Sequence, residues 1–199
     1  MLKLLCAVVI SLLGIAKEYG AYCSYLPLRK GLIIINRLIV NTISNVVVND
    51  AETISTDEYK IGNCIGCTHC WLKTPGICAV KDDWETLFKR ILQADAVIFI
   101  AEAKLGFVSY KLKNIVDRLI PLVTPYTVLQ NGEMRHKKRY AKTPDMGLIY
   151  SGNGDKEFLS EWLGRVTLNF FSKSLGVYSI AESEVISREF GNIQLLTKT

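Results

Sequence analysis

The segment DDWETLFKRILQADAVIFIA, residues 82–101, changes its hydrophobic period midway. Trp84, Leu87, Phe88, Ile91 and Leu92 recur at three- and four-residue spacing, which predicts an amphipathic helix with one buried stripe. Asp82 with Glu85 three positions on has the capping-box pattern, which opens a helix by satisfying two of its orphan N–H groups. Ala96 to Ala101 is then unbroken apolar sequence, the signature of a short strand buried on both faces. A doubly buried strand beside an amphipathic helix points to a mostly parallel sheet with helices on both sides.

The rest of the chain repeats that alternation. LLCAVVIS (4–11) reads as a first strand, and YLPLRKGLIIINRLI (25–39) as a helix with Leu28, Leu32, Ile35 and Ile39 on one face. ISNVVVND (43–50) is a second buried strand ending in turn residues. SYKLKNIVDRLI aligns Leu112, Ile115, Val116 and Leu119 as a helix stripe. A long basic loop over 124–145 leads to the strand MGLIY, and the turn SGNGD opens a helix carrying Phe158, Leu159, Trp162, Leu163, Val166 and Phe170. GVYSIAES supplies the fifth strand, and the whole is expected to form one domain, 1–199. Ligands on such sheets bind beyond the carboxyl ends of the strands, here the loops 11–26, 101–109 and 151–155.

The net charge of +5 is concentrated in RHKKR, residues 135–139, so the chain does not read as a nucleic-acid binder. The opening MLKLLCAVVISLLGIAKEYG resembles a signal peptide and is too short to span a bilayer as a helix. It reads better as the first strand of the sheet, which, with no membrane segment, makes the expected location the cytoplasm.

Four of the six cysteines, Cys64, Cys67, Cys70 and Cys78, crowd into the loop 62–80. Thiols two residues apart bridge poorly but suit a shared metal. Three thiolates at that spacing can grip one face of an iron–sulfur cube, with a fourth from beyond the Pro75–Gly76 turn. A zinc knuckle more often uses two separated pairs. His69 is a further potential zinc ligand or a solvated side chain, and a loop of reduced thiols that bind nothing is the competing reading.

CIGCTHCWLKTPGICAVKDDW, LQADAVIFIAEAKLGFVSYKLKNIVDRLIP and NGEMRHKKRY together resemble the flavodoxin-like NAD(P)H-dependent FMN reductase and iron–sulfur flavoprotein superfamily, over residues 40 to 180. The resemblance implies an α/β, flavodoxin-like three-layer sandwich with a five-stranded parallel sheet of order 2-1-3-4-5. It also implies non-covalent FMN, NAD(P)H as co-substrate, and a homo-oligomer with a small-molecule or protein redox partner. In the iron–sulfur branch a compact four-cysteine motif holds a [4Fe-4S] cluster, and Cys64, Cys67, Cys70 and Cys78 match it. No acid–base catalytic residue is expected, because the cofactor carries the chemistry.

The resemblance places Gly106, Phe107 and Ser109 against one side of the flavin ring, and Ser151, Gly152, Asn153 and Gly154 against the other. Two stretches depart from the family pattern. The phosphate-cradling first loop is here SLLGIAKEYGAYCSYLPLRK, where Ser11, Lys17 and Ser24 are the remaining candidate donors, with Gly14 and Gly20. After the third strand stands Ala101-Glu102-Ala103-Lys104, followed by the apolar turn Leu105-Gly106-Phe107. Lys104 either pairs with Glu102 in solvent or lies over the flavin, where it would stabilise the anionic reduced ring. Arg135 and Arg139 are candidates for the 2′-phosphate of NADPH, or for a redox partner or another subunit. Three activities remain open: an FMN-dependent oxidoreductase, an FMN and [4Fe-4S] electron carrier, and a flavin-free metal-binding or interaction module.

Overall fold

Five parallel strands form the central sheet: β1 (Arg37–Asn41), β3 (Glu52–Ser55), β4 (Ala96–Val108), β7 (Asp145–Gly154) and β8 (Ser174–Ser179). The computed structural model describes residues 36–44, 46–49, 52–190 and 194–197. The spatial order is β3-β1-β4-β7-β8, which in chain order of the sheet strands is 2-1-3-4-5, as expected. This is the flavodoxin-like topology, and its switch point lies between β1 and β4.

The strand assignments at the amino end need correction. The sheet's first strand is Arg37–Asn41, inside the segment read as the end of a helix. Leu38, Ile39 and Val40 are all buried, a run that suits a doubly covered strand better than a one-sided helix stripe. The second sheet strand is Glu52–Ser55, while β2 (Val46–Asn49) pairs antiparallel with β9 (Gln194–Thr197) in a separate ribbon. The expected strand 4–11 and the candidates Ser11, Lys17 and Ser24 lie outside the described residues.

Two further corrections concern loops. The basic stretch 124–145 is largely a hairpin, β5 (Val123–Gln130) with β6 (Glu133–Lys138). Its turn is Asn131-Gly132, both at positive φ, +52° and +80°, the mirror-image turn that matches strand twist. SGNG is not a turn: it continues β7, which pairs with β4 as far as Gly106 opposite Gly154.

The helices are α1 (His69–Leu72), α2 (Trp84–Gln93), α3 (Tyr110–Asp117), α4 (Lys156–Asn169) and α5 (Ser183–Phe190). On one face of the sheet, Leu38, Val40, Val97, Phe99 and Leu148 meet Leu87 and Ile91 of α2, Leu112 and Ile115 of α3, and Leu159 and Leu163 of α4. On the other, Ile39, Ile98, Ile100 and Ile149 meet Ile186 and Phe190 of α5. Alternate residues of one strand thus serve two cores, and burying each such side chain contributes about 1.5–3 kcal/mol. Among the described residues no helix is long and apolar enough to cross a membrane.

Candidate functional site

The cysteine loop leaves the carboxyl edge of the sheet after β3 and returns at α2. Two adjacent aspartates close its neck. Asp83 accepts the Lys60 N–H at 2.7 Å, and Asp82 accepts the Gly62 N–H at 2.8 Å. The expected capping box is not formed as read: Asp83 occupies the N-cap position of α2, and Asp82 accepts the Trp84 N–H at 3.2 Å from one residue further out. The Asp82 carboxylate is mainly occupied by Arg118, which donates to it through both terminal nitrogens, at 2.5 and 3.0 Å.

Within the loop, Gly66 at φ +65° and Thr68 at φ +56° reverse the chain between successive cysteines, and α1 follows. Trp71 donates its indole N–H to the Ile120 carbonyl at 3.0 Å and packs on His136 of the hairpin at 4.6 Å. Arg139 donates to the carbonyls of Pro121 at 2.9 Å, Val123 at 3.3 Å and Cys70 at 3.4 Å. The loop is thereby pinned to α3, to the chain after it, and to the hairpin base.

All four cysteines are free thiols, and all four line one small, largely apolar cavity of about 50 Å³ with Ile65, Trp71, Val80 and Arg118 among its walls. Burial pushes the Cys70 thiol up from its ordinary value, and the neighbouring Cys78, Cys64 and Cys67 push it further. Among the described residues no three cysteine, histidine or carboxylate groups converge on a single ion. Four thiols lining one cavity are the residue types that a cluster or a zinc ion would use. His69 is half-buried at the start of α1 and is not a wall of this cavity.

A second cleft, of about 290 Å³, opens at the carboxyl ends of β1 and β4. Thr42, Ile43 and Ser44 line one side, and Glu102, Ser109, Tyr110 and Lys111 the other. Thr42 is fixed by donating both its N–H and its hydroxyl to the Ile100 carbonyl, each at 2.9 Å. Lys111 pairs with Asp57 at 2.8 Å, which holds its pKa above the ordinary value. The hydroxyls and the Lys111 ammonium can donate to a phosphate, and the Glu102 carboxylate can accept from hydroxyl groups attached to it. Thr42, Ser44, Tyr110 and Lys111 were missed by sequence reading. The signal was two hydroxyls soon after an apolar run, obscured by reading that run as the end of a helix.

The two segments expected on opposite sides of the ring are paired neighbours in the sheet, so they share one edge and leave no gap between them. Ala103 lies opposite Gly152, and Gly106 opposite Gly154. The Ser109 N–H donates to the Glu102 carbonyl at 2.8 Å, closing 102–109 into a bulged excursion from β4. Ala101 is buried beneath it, while Leu105, at φ +53°, is almost wholly exposed at its tip. Phe107 packs on Phe158 and Trp162, at 5.8 and 5.2 Å. Ser151 and Asn153 follow in β7, and Asp155 caps α4 by accepting the Phe158 N–H at 3.0 Å.

Lys104 pairs with Glu102 at 3.1 Å in solvent. Exposed pairs of this kind contribute about 0–1 kcal/mol, so Lys104→Ala is expected to leave the melting temperature nearly unchanged in a thermal scan. In the basic segment, Arg135 is buried and donates to Glu133 at 2.8 Å. With Arg139 engaged on three carbonyls, both guanidiniums expected to meet a nucleotide phosphate are bonded within the fold.

A parallel sheet of this order, with clefts at its carboxyl edge, defines a flavodoxin-like α/β protein. The resemblance carried by the cysteine loop is borne out by curated relatives. An iron–sulfur flavoprotein of Methanocaldococcus jannaschii is 36% identical over 73 residues, 37% of this chain and 37% of that protein. One of Archaeoglobus fulgidus is 26% identical over 117 residues, 59% of this chain and 47% of that protein. The chain thus spans between about a third and a half of the length of the relatives it matches. No protein-family model matches it. Among solved structures, a flavone reductase overlaps 77% of this chain and 57% of its own at TM-score 0.42 and 15% identity. RosB, solved with 8-demethyl-8-formylriboflavin-5'-phosphate, overlaps 73% of this chain and 64% of its own at TM-score 0.45 and 14% identity.

Proposed function

We propose that the chain is a flavoprotein oxidoreductase that holds FMN at the carboxyl edge of its sheet, takes electrons from NAD(P)H and passes them to a small-molecule or protein acceptor. The donor set around the 290 Å³ cleft carries this reading. Thr42, Ser44 and Lys111 would hold the phosphate end, and Ser109 with the 101–107 and 151–154 segments would border the ring. FMN supplies the exchange between two-electron hydride chemistry and single-electron transfer. The paired ends of β4 and β7 would border the ring along one shared edge.

A second reading, favoured by the four thiols around one cavity, adds a [4Fe-4S] cluster held by Cys64, Cys67, Cys70 and Cys78. The protein then relays single electrons between partners. A subunit contact bordering the flavin, in a homo-oligomer, belongs to both readings, as does action in the cytoplasm.

Anaerobic purification followed by absorption spectroscopy, flavin and iron analysis tests both. Flavin bands with a brown shoulder and about four irons per chain are expected for the carrier. A yellow, iron-free protein that oxidises NAD(P)H supports the first reading alone. A colourless chain whose melting temperature does not move with saturating FMN overturns both.

A further inference from the structure

Arg118 sits where a charge is least expected. It ends α3, its side chain is 1% exposed, and it lies in the main hydrophobic core with its guanidinium 5.0 Å above the Trp84 ring. Each terminal nitrogen has two N–H groups to place. One nitrogen donates to Asp82 at 2.5 Å and to the Gly62 carbonyl at 3.1 Å. The other donates to Asp82 at 3.0 Å and to the Cys78 sulfur at 3.2 Å. With the other three N–H groups committed, the fourth is held on Cys78 and cannot rotate away. Among the described residues no charged donor reaches the sulfur of Cys64, Cys67 or Cys70.

A hydrogen bond from a cation to sulfur is weak for a neutral thiol and charge-assisted for a thiolate. The contact therefore fixes the Cys78 sulfur beside a permanent cation. It also places positive charge one bond away from a ligand atom, inside an apolar cavity where screening by water is poor. Asp82 offsets part of this charge, and the Cys78 sulfur meets the positive end of the resulting ion pair.

We propose that Arg118, oriented by Asp82 and Trp84, is a positioning residue for Cys78: it fixes the sulfur in the cavity wall and raises the midpoint potential of the cluster site. The inference rests on the cluster reading above. A fixed cation beside a ligand sulfur stabilises the form carrying one more electron. The site is thereby made asymmetric, with the Cys78 corner the most electron-accepting.

The test compares the anaerobically prepared protein with Arg118→Lys and Arg118→Gln. Iron, acid-labile sulfide, melting temperature and cluster midpoint potential are measured for each. Arg118→Gln is expected to shift the oxidised-to-reduced ratio at fixed potential at least tenfold toward oxidised, 59 mV for one electron. Arg118→Lys, which keeps the charge and loses the fork, is expected to show a smaller shift in the same direction. A less than twofold shift in Arg118→Gln, with iron and melting preserved, overturns the inference and leaves Arg118 purely structural. If the glutamine variant does not fold, the Asp82→Asn/Arg118→Gln double variant, which leaves no buried charge unpaired, decides, and an unmoved potential in it overturns the inference equally. A wild-type protein free of iron and sulfide after reconstitution is a different outcome: it removes the cluster reading itself.

Discussion

Replacing Asp82 with alanine is expected to destabilise the protein by about 3–5 kcal/mol, because it leaves the buried Arg118 guanidinium without its counter-charge. For a chain of this size that is a fall of about 6–20 °C in melting temperature. The change removes both acceptors of the Arg118 fork and the partner of the Gly62 N–H, so the neck of the cysteine loop loosens at the same time. Thermal and urea denaturation check it, and a loss below about 1 kcal/mol would mean the pair is weaker than its burial implies.

The loss should depend on pH in a definite direction. Burial pushes the Asp82 carboxyl upward, but bonds from Arg118 and from the Gly62 and Trp84 N–H groups outweigh it and hold the carboxyl below its ordinary value. A carboxyl depressed in the folded state contributes its full stabilisation above its unfolded value, about 3.9, and loses it as pH falls through the folded one. The difference between wild type and Asp82→Ala should therefore be constant from neutral pH down to about pH 5 and shrink below about pH 4.

Much of the fold was legible because its helices are strongly periodic. Trp84, Leu87, Phe88 and Ile91 are buried as their spacing requires, as are Leu112, Ile115 and Val116, and Leu159 and Leu163. The unbroken run Ala96–Ala101 is the buried part of β4, also as read. Leu32 to Val40 is apolar with only two polar breaks, so it matches a helix and a strand template equally, and the strand at Arg37–Asn41 was missed. Asn131-Gly132 did carry a hairpin signal, but the charged residues after it read as a solvated loop. In fact Arg135 and Arg139 turn inward to Glu133 and to backbone carbonyls.

The site was legible in its residue types and not in its partnerships. Four cysteines in one short loop identified the cavity directly. Arg118 lies 36 residues from Asp82 and 40 from Cys78, a separation at which no local pattern operates. On a helical wheel it is a polar residue at the end of an amphipathic segment, and its burial follows from the packing of α3 under the cysteine loop. Asp82 misled for the same reason: a local capping pattern was visible, whereas the distant guanidinium that takes most of its carboxylate was not.

Gly152 separates close backbone approach from turn chemistry, and its replacement has the second large expected effect. It lies within β7 at φ +85°, and a Cβ there would stand 2.7 Å from the Ala103 carbonyl oxygen. That oxygen belongs to the backbone of the neighbouring strand, so no side-chain rotation relieves the contact. Gly152→Ala is expected to destabilise by about 2–5 kcal/mol, the sum of about 1–2 for a non-glycine in the left-handed region and about 1–3 for overpacking. Gly132 provides the control, since it has φ +80° in the hairpin turn and open space around its missing Cβ. Gly132→Ala should lose the conformational part alone, about 1–2 kcal/mol. Equal losses in urea denaturation would show that Ala103 does not constrain Gly152. An excess at Gly152, accompanied by weaker FMN binding, would tie the β4–β7 extension to the proposed flavin site, because the strand that must yield is the one whose preceding residue, Glu102, lines the cleft.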